Sequence, residues 1–295
     1  MNKIKRGFFE LNLATFLFGF IGVIAKSITL SAPLIILFRA IFAFLALSIF
    51  FIWKKEKLLL KKDWHYFLMI VLGFLFAVHW LALFQALKVS NIAVAYISLF
   101  TFPVMTVFLE PLFTKDQLCK WDVFTGLLIL SGVWFLVPEF DLSNDITQGV
   151  LWGILSAFTY ALRNIFTRKY FRKNSGASVV FYQILVTILV CLPFFFFEEF
   201  VFVPMDFVYL ILLGVLFTAI AHSFFVRSLK VLKAKSVGMI TSMQPVYAVF
   251  FAFVFLREIP DMRTAMGGAL IIVAVVIEVF KVTKKIKPVD LEDAA

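Results

Sequence analysis

Runs of about twenty apolar residues recur along this chain from Phe8 to residue 281, and the short breaks between them hold most of its charge. A run of that length spans the hydrocarbon core of a bilayer as an α-helix. In lipid every backbone N–H and C=O must find its partner inside the spanning element, and no alternating ten-residue strands suggest a barrel. The chain is 63% hydrophobic and 16% charged over 295 residues, against about 45–50% and about 25% in soluble domains. Lipid is therefore the solvent for most of it. The net charge of +10 does not point to nucleic acid, because the basic residues form no patch and instead cluster between apolar runs. The 40 phenylalanines are read as lipid-facing positions and genomic base composition, not as an aromatic site. Cys119 and Cys191 offer neither a disulfide framework nor metal-ligand spacing, and three scattered histidines make no metal cluster. No metal and no cofactor are expected.

Dividing the chain at its charged and turn-rich breaks predicts ten helices, at about 8–29, 32–53, 66–87, 91–113, 121–138, 149–167, 177–197, 206–226, 236–256 and 262–281. The basic "MNKIKR" before the first run resembles a secretory signal, but the run is too long for a cleaved signal core. Alternating the loops puts 22 of the 28 Lys and Arg residues on one side, which by the positive-inside rule is cytoplasmic. The expected fold is an all-α polytopic membrane protein with both termini cytoplasmic.

Shifted by 142 residues, Leu87–Val133 lies over Leu229–Val275 without a gap, and 12 of 47 positions are identical. Pro103 meets Pro245, Gly126 meets Gly268, and the acidic Asp116 meets Glu258. A repeat of five helices is odd in number, so its two copies must run in opposite senses across the membrane. Inverted repeats are the mark of secondary transporters, with the site between the halves near the midplane. The expected units are 1–140, 141–287 and a polar tail at 288–295. Pro103 and Pro245 are read as helix bends flanking that site.

"FQALKVSNIAVAYISLFTFPV" and "QPVYAVFFAFVFLREIPDMRTAMGGALIIVAV" resemble the paired EamA domains of the drug/metabolite transporter superfamily, and "FRAIFAFLAL" with Arg39 resembles that family's second helix. The resemblance covers about residues 10–280. It implies a ten-helix carrier of small metabolites, often an amino-acid or metabolite exporter, and it places Glu258 and Asp116 at the family's acidic position. Glu110 falls outside that pattern.

Polar residues inside the runs are the candidate site. Arg39 is either a structural anchor or faces an anion. Ser156, Tyr160, Arg163 and Thr167 share one face of their helix, with Asn164 beside it; Arg163 either snorkels beside Arg168 or belongs to the site. His79, next to Trp80, and His222 sit at near-equivalent places in the repeats, and either couple transport to protons or join helices. Tyr96, Gln183 and Gln244 complete the set, with Gln85 and Tyr182 as further inward candidates. Glu110 and Glu258 are candidate gate or coupling residues. Gly19, Gly22, Gly267 and Gly268 mark close helix packing.

The expected function is secondary transport of a small solute, an amino acid or related metabolite, by alternating access, with export as the expected direction. An uptake carrier for a nucleotide-like or other anionic metabolite and a non-transporting scaffold or receptor are the alternatives. An enzyme is not expected, since no nucleophile–base constellation exists. The expected partners are the solute and the lipid bilayer of a bacterial cytoplasmic membrane, with the chain a monomer or homodimer.

Overall fold

Where the apolar runs are described they fold as helix, and residues at several of their ends show what starts them. The structure, a computed structural model, describes residues 3–55, 58, 63–113, 118, 120–137, 141–171, 174–201, 203–232 and 240–285. It begins with α1 (Lys3–Ser27), α2 (Ala32–Lys54), α3 (Asp63–Val89), α4 (Ile92–Leu99), α5 (Phe102–Phe113) and α6 (Lys120–Leu136). There follow α7 (Asp145–Phe171), α8 (Gly176–Phe197), α9 (Pro204–Gly214), a π-helical segment (Val215–Ile220) and α10 (Ala221–Val231). The chain closes with α11 (Gln244–Phe251), a second π-helical segment (Ala252–Leu256) and α12 (Met262–Lys285). No strand occurs among the described residues. Six helical stretches among the described residues are long and apolar enough to cross a membrane. Asp116, Cys119 and the tail at 288–295 lie outside the described residues.

Side chains cap several starts by accepting from otherwise orphaned backbone N–H groups. Asn91 Oδ1 accepts from Val94 N at 2.8 Å and the Ser175 hydroxyl from Ser178 N at 3.1 Å. Asp261 accepts from Thr264 N at 2.7 Å, and hydrogen bonds from the Thr264 side chain and backbone hold its carboxyl below the usual carboxylate range.

The prolines act differently from the expectation. Pro103 and Pro245 do not bend continuous helices; each sits in the first turn of a new helix, α5 and α11, just after a break. There the missing N–H would have had no intrahelical partner anyway. The breaks fall at Phe100–Thr101 and at Ser242–Met243, which are equivalent under the repeat shift (242 − 100 = 142). Their hydrogen bonds match too. Thr101 N donates to Ser98 O and Met105 N to Thr101 O, while Met243 N donates to Ile240 O and Tyr247 N to Met243 O.

The stretch expected as one helix over 206–226 is interrupted by the π-helical segment. A π turn inserts one residue into an α-helix, and α9 to α10 runs from Pro204 to Val231 where its counterpart α3 runs from Asp63 to Val89.

Packing follows the repeat. α3 lies against α7 and α8, as α1 and α2 lie against α10 and α9; α4 packs on α7 as α11 packs on α1; α2 meets α8 and α6 meets α12. The α6–α12 crossing is a backbone approach between Gly132 and Gly267. A Cβ on Gly132 would stand 2.9 Å from Gly267 O, and one on Gly267 would stand 2.6 Å from Gly132 O. Overpacking costs about 1–3 kcal/mol. Gly132→Val is therefore expected to lose that much stability and lower the melting temperature in detergent, whereas Ser131→Val on the exposed side of α6 leaves it within experimental scatter.

Candidate functional site

The central cavity is lined by Phe18 and Ile21 of α1, Arg39 of α2, His79, Trp80, Leu83 and Phe84 of α3, and Tyr96 and Leu99 of α4. Phe102, Tyr160, His222, Phe225, Thr241 and Gln244 complete the wall. Much of this wall is paired by the repeat. Phe18 and Tyr160 (160 − 18 = 142), Trp80 and His222, Leu83 and Phe225, Leu99 and Thr241, and Phe102 and Gln244 all stand at the same separation. The last two pairs flank the helix breaks. The strict counterpart of His222 is thus Trp80, not His79. About 40 Å³ is open to the centres of water-sized molecules. Since one water needs about 10–15 Å³ by that measure, the cavity holds a few waters and is too tight for a metabolite in this conformation.

Arg39 reaches the cavity because α9 comes close to α2. Gly214 makes this possible, since a Cβ there would lie 2.7 Å from Arg39 O. One turn on, inside the π segment, Thr218 Oγ1 accepts from Arg39 Nη2 at 2.7 Å and Nε at 3.2 Å, and donates to Leu213 O at 2.7 Å. The guanidinium carbon lies 4.2 Å from the Trp80 ring and 5.0 Å from that of Phe84. An arginine at a helix centre costs about 2.5–3.5 kcal/mol on insertion scales. A desolvated cation–π contact returns about 2 kcal/mol, so the two rings and Thr218 cover most of that cost. Nη1 keeps no hydrogen-bond partner.

Arg163 is 1% exposed and each of its guanidinium nitrogens has an acceptor, so it does not snorkel beside Arg168. Gln183 Oε1 accepts from its Nη2 at 2.6 Å and its Nε at 3.0 Å, and Asn164 Oδ1 accepts from its Nη1 at 3.1 Å. Its guanidinium lies 4.3 Å from the Phe76 ring. Arg163, Asn164 and Gln183 stand behind the cavity wall. The rest of the predicted stripe also turns inward: Ser156 meets His79, Tyr160 stacks on His79 at 4.4 Å, and Thr167 accepts from Gln183 Nε2 at 3.5 Å.

His79 joins α3 to α7. Its Nδ1 lies 3.1 Å from Ser156 O, and a carbonyl can only accept, so Nδ1 carries the proton. Ser156 Oγ in turn donates to His79 O at 2.9 Å. Tyr96 OH donates to Phe18 O at 2.8 Å. The ring of His222 packs against Phe18, Phe76 and Trp80, and its Nδ1 has no partner.

The acidic candidates lie away from the cavity, at the bundle's ends. Glu258 pairs with Lys26 at 2.7 Å and accepts from Ile92 N at 3.0 Å. Glu110 lies 3.5 Å from Arg168, whose side chain is 71% exposed, so that contact contributes little. At the bundle end where α1 begins, Glu10 takes both Arg6 at 2.7 Å and Arg227 at 3.1 Å.

Sequence reasoning missed the aromatic wall. Phe18, Phe84, Phe102 and Phe225 line the cavity, against the expectation that the phenylalanines serve only as lipid-facing filler; among 40 of them, spacing cannot separate a wall from a surface. It also missed Thr218, because a π turn leaves no signature in an apolar run.

A family model described as the EamA-like transporter family matches residues 5–137 and again 147–280. Over 204 residues the chain is 24% identical to an uncharacterized transporter, YxxF, of Bacillus subtilis, covering 68% of this chain and 65% of that one, just under two thirds of its length. Over 279 residues it is 25% identical to the pseudopaline exporter CntI of Pseudomonas aeruginosa, covering 93% and 96%. It is also 26% identical over 194 residues to an S-adenosylmethionine uptake transporter of Rickettsia conorii, covering 63% and 62%. A solved crystal structure shares the fold with a TM-score of 0.68 at 17% identity, covering 94% of this chain and 98% of that one. With its apolar helices and a family match that recurs in both halves, this multi-pass membrane protein belongs to the EamA-like transporter family, within the drug/metabolite transporter superfamily.

Proposed function

We propose that the protein is a ten-helix secondary transporter of two inverted five-helix repeats, 1–140 and 141–287, with both termini cytoplasmic and a polar tail at 288–295. It exports a small metabolite, an amino acid or related solute, across a bacterial cytoplasmic membrane by alternating access. The observation that carries this reading is the cavity wall: its paired residues come from equivalent positions in the two halves, beside equivalent helix breaks. A two-fold wall of this kind lets one rocking motion exchange access between sides. Arg39, His79, Trp80, Tyr96, Tyr160, His222 and Gln244 form the site, with Arg163, Asn164 and Gln183 as its support. Export is favoured because the match to an exporter runs nearly end to end, whereas the match to an uptake carrier covers 62% of it.

Counterflow in proteoliposomes tests the reading. Vesicles loaded with unlabelled solute and challenged with a labelled panel of amino acids, nucleotides and sugars are expected to accumulate at least one label at about ten times the rate of protein-free vesicles. If folded protein moves no member of the panel, the transport reading is wrong.

A further inference from the structure

The two interior arginines are not equivalent, and the difference bears on what the cavity binds. This step rests on the transport reading above. Each guanidinium nitrogen of Arg163 already has an acceptor, and Arg163 does not line the cavity. Arg39 turns Nε and Nη2 to one threonine and leaves Nη1 without a partner at 1% exposure. Trp80 and Phe84 pack near its guanidinium, and Arg39 itself lines the cavity.

The repeat makes the asymmetry plainer. Arg39 corresponds to Phe181 (181 − 39 = 142), and Arg163 corresponds to Ile21, which is part of the cavity wall. The wall is therefore paired in shape but carries its arginine on one side only. No carboxylate lines the cavity among the described residues. A second unpartnered polar atom, His222 Nδ1, belongs to a ring 5.7 Å from that of Trp80. A buried donor without a partner is costly, and one that lines a cavity is satisfied when the cavity widens to admit a ligand that accepts from it.

We infer that the cavity takes a small organic anion with an apolar or aromatic body. Its carboxylate or phosphate ester accepts from Arg39 Nη1, with His222 Nδ1 as the second polar contact, and its body lies among Phe18, Tyr160 and Phe225. A guanidinium N–H bonds a carboxylate or phosphate oxygen more strongly than the oxygen of a neutral amide.

The test uses purified full-length protein in detergent and a charge series on one skeleton. The probes are N-acetylphenylalanine, its neutral primary amide and the cationic phenylalaninamide, with phenyl phosphate as the phosphate arm. Binding is read as thermal stabilisation against ligand concentration. At least one of the two anions is expected to bind about tenfold more tightly than the amide, and the stronger of them identifies the anionic group. Arg39→Gln is expected to erase that preference. Arg39→Lys serves if the glutamine variant does not fold, and is expected to retain part of the preference. The inference is overturned if the amide or the cation binds as tightly as both anions, if Arg39→Gln keeps the preference, or if no probe binds. Anion binding without counterflow of any solute would sink the transport reading and leave the anion site standing.

Discussion

Gln183→Leu is expected to destabilise the protein by about 3–5 kcal/mol, the range for stripping the partner from a buried charged group. Gln183 Oε1 takes two of the three guanidinium nitrogens of Arg163, and leucine of similar size has nothing to accept with. Neutral interhelical hydrogen bonds in membranes average only about 0.6 kcal/mol. The larger figure applies because the group left behind is charged, buried and held by α7 against α8 where water does not reach it. The double variant Arg163→Met/Gln183→Leu removes donor and acceptor together, and is expected to recover most of the loss, since an apolar replacement of both partners is close to neutral. Unfolding in a detergent–SDS titration of the two single variants and the double gives the coupling directly. A loss below 1 kcal/mol for Gln183→Leu would mean that Arg163 finds water after all.

The contrast between Arg163 and Arg39 marks how far the sequence could be read. The helices were legible because apolar length and basic breaks are governed by the bilayer alone. What starts two of them appears only in the structure, where Asn91 and Ser175 cap the next turn. The repeat was legible through Pro103 and Pro245, but what the prolines do was not: a proline in a first turn and a proline in a kink read alike in a string of residues. Which histidine matches which also depends on geometry. An offset of 143 made His79 the near-equivalent of His222, while the cavity pairs His222 with Trp80. The polar stripe on α7 was visible from its spacing, yet its division into wall (Tyr160) and support (Arg163) depends on where Gln183 of α8 stands. Thr218 was beyond reach, because the one-residue slip that brings it to Arg39 is a property of the backbone.

Glu258→Gln is expected to raise the population open at the Lys26 end of the bundle by about five- to tenfold, and to slow transport by a similar factor. Glu258 comes from the second repeat, just past the left-handed turn at Arg257 (φ 57°). It ties together two elements of the first, Lys26 of α1 and the N-terminus of α4 at Ile92. Lys88 adds a second clasp at this end by donating to Ile28 O at 2.5 Å, and Asp206 a third by accepting from Thr29. The Lys26 and Glu258 side chains are 22% and 24% exposed, so solvent screens them, and a fully exposed pair would contribute only about 0–1 kcal/mol. The backbone N–H at a helix start adds to the attraction for the carboxylate. Together these support a shift of about 1–1.4 kcal/mol, where 1.4 kcal/mol is tenfold in an equilibrium. Glutamine keeps the shape and the acceptor oxygen but not the charge, so the variant isolates the electrostatic part. Spin labels at Ser27 and Met262, in a chain whose Cys119 and Cys191 are replaced, report the opening as a longer distance population. Lys26→Gln should produce a smaller shift, since Ile92 N still donates to Glu258, and the double variant no more than Glu258→Gln alone. The charge swap Lys26→Glu/Glu258→Lys should restore part of the closed population but not all, because lysine cannot accept from Ile92 N. If the distances and the counterflow rate of Glu258→Gln both match those of the unmodified chain, Glu258 is an ornament of the loop and the closure at this end rests on Asp206 and Lys88.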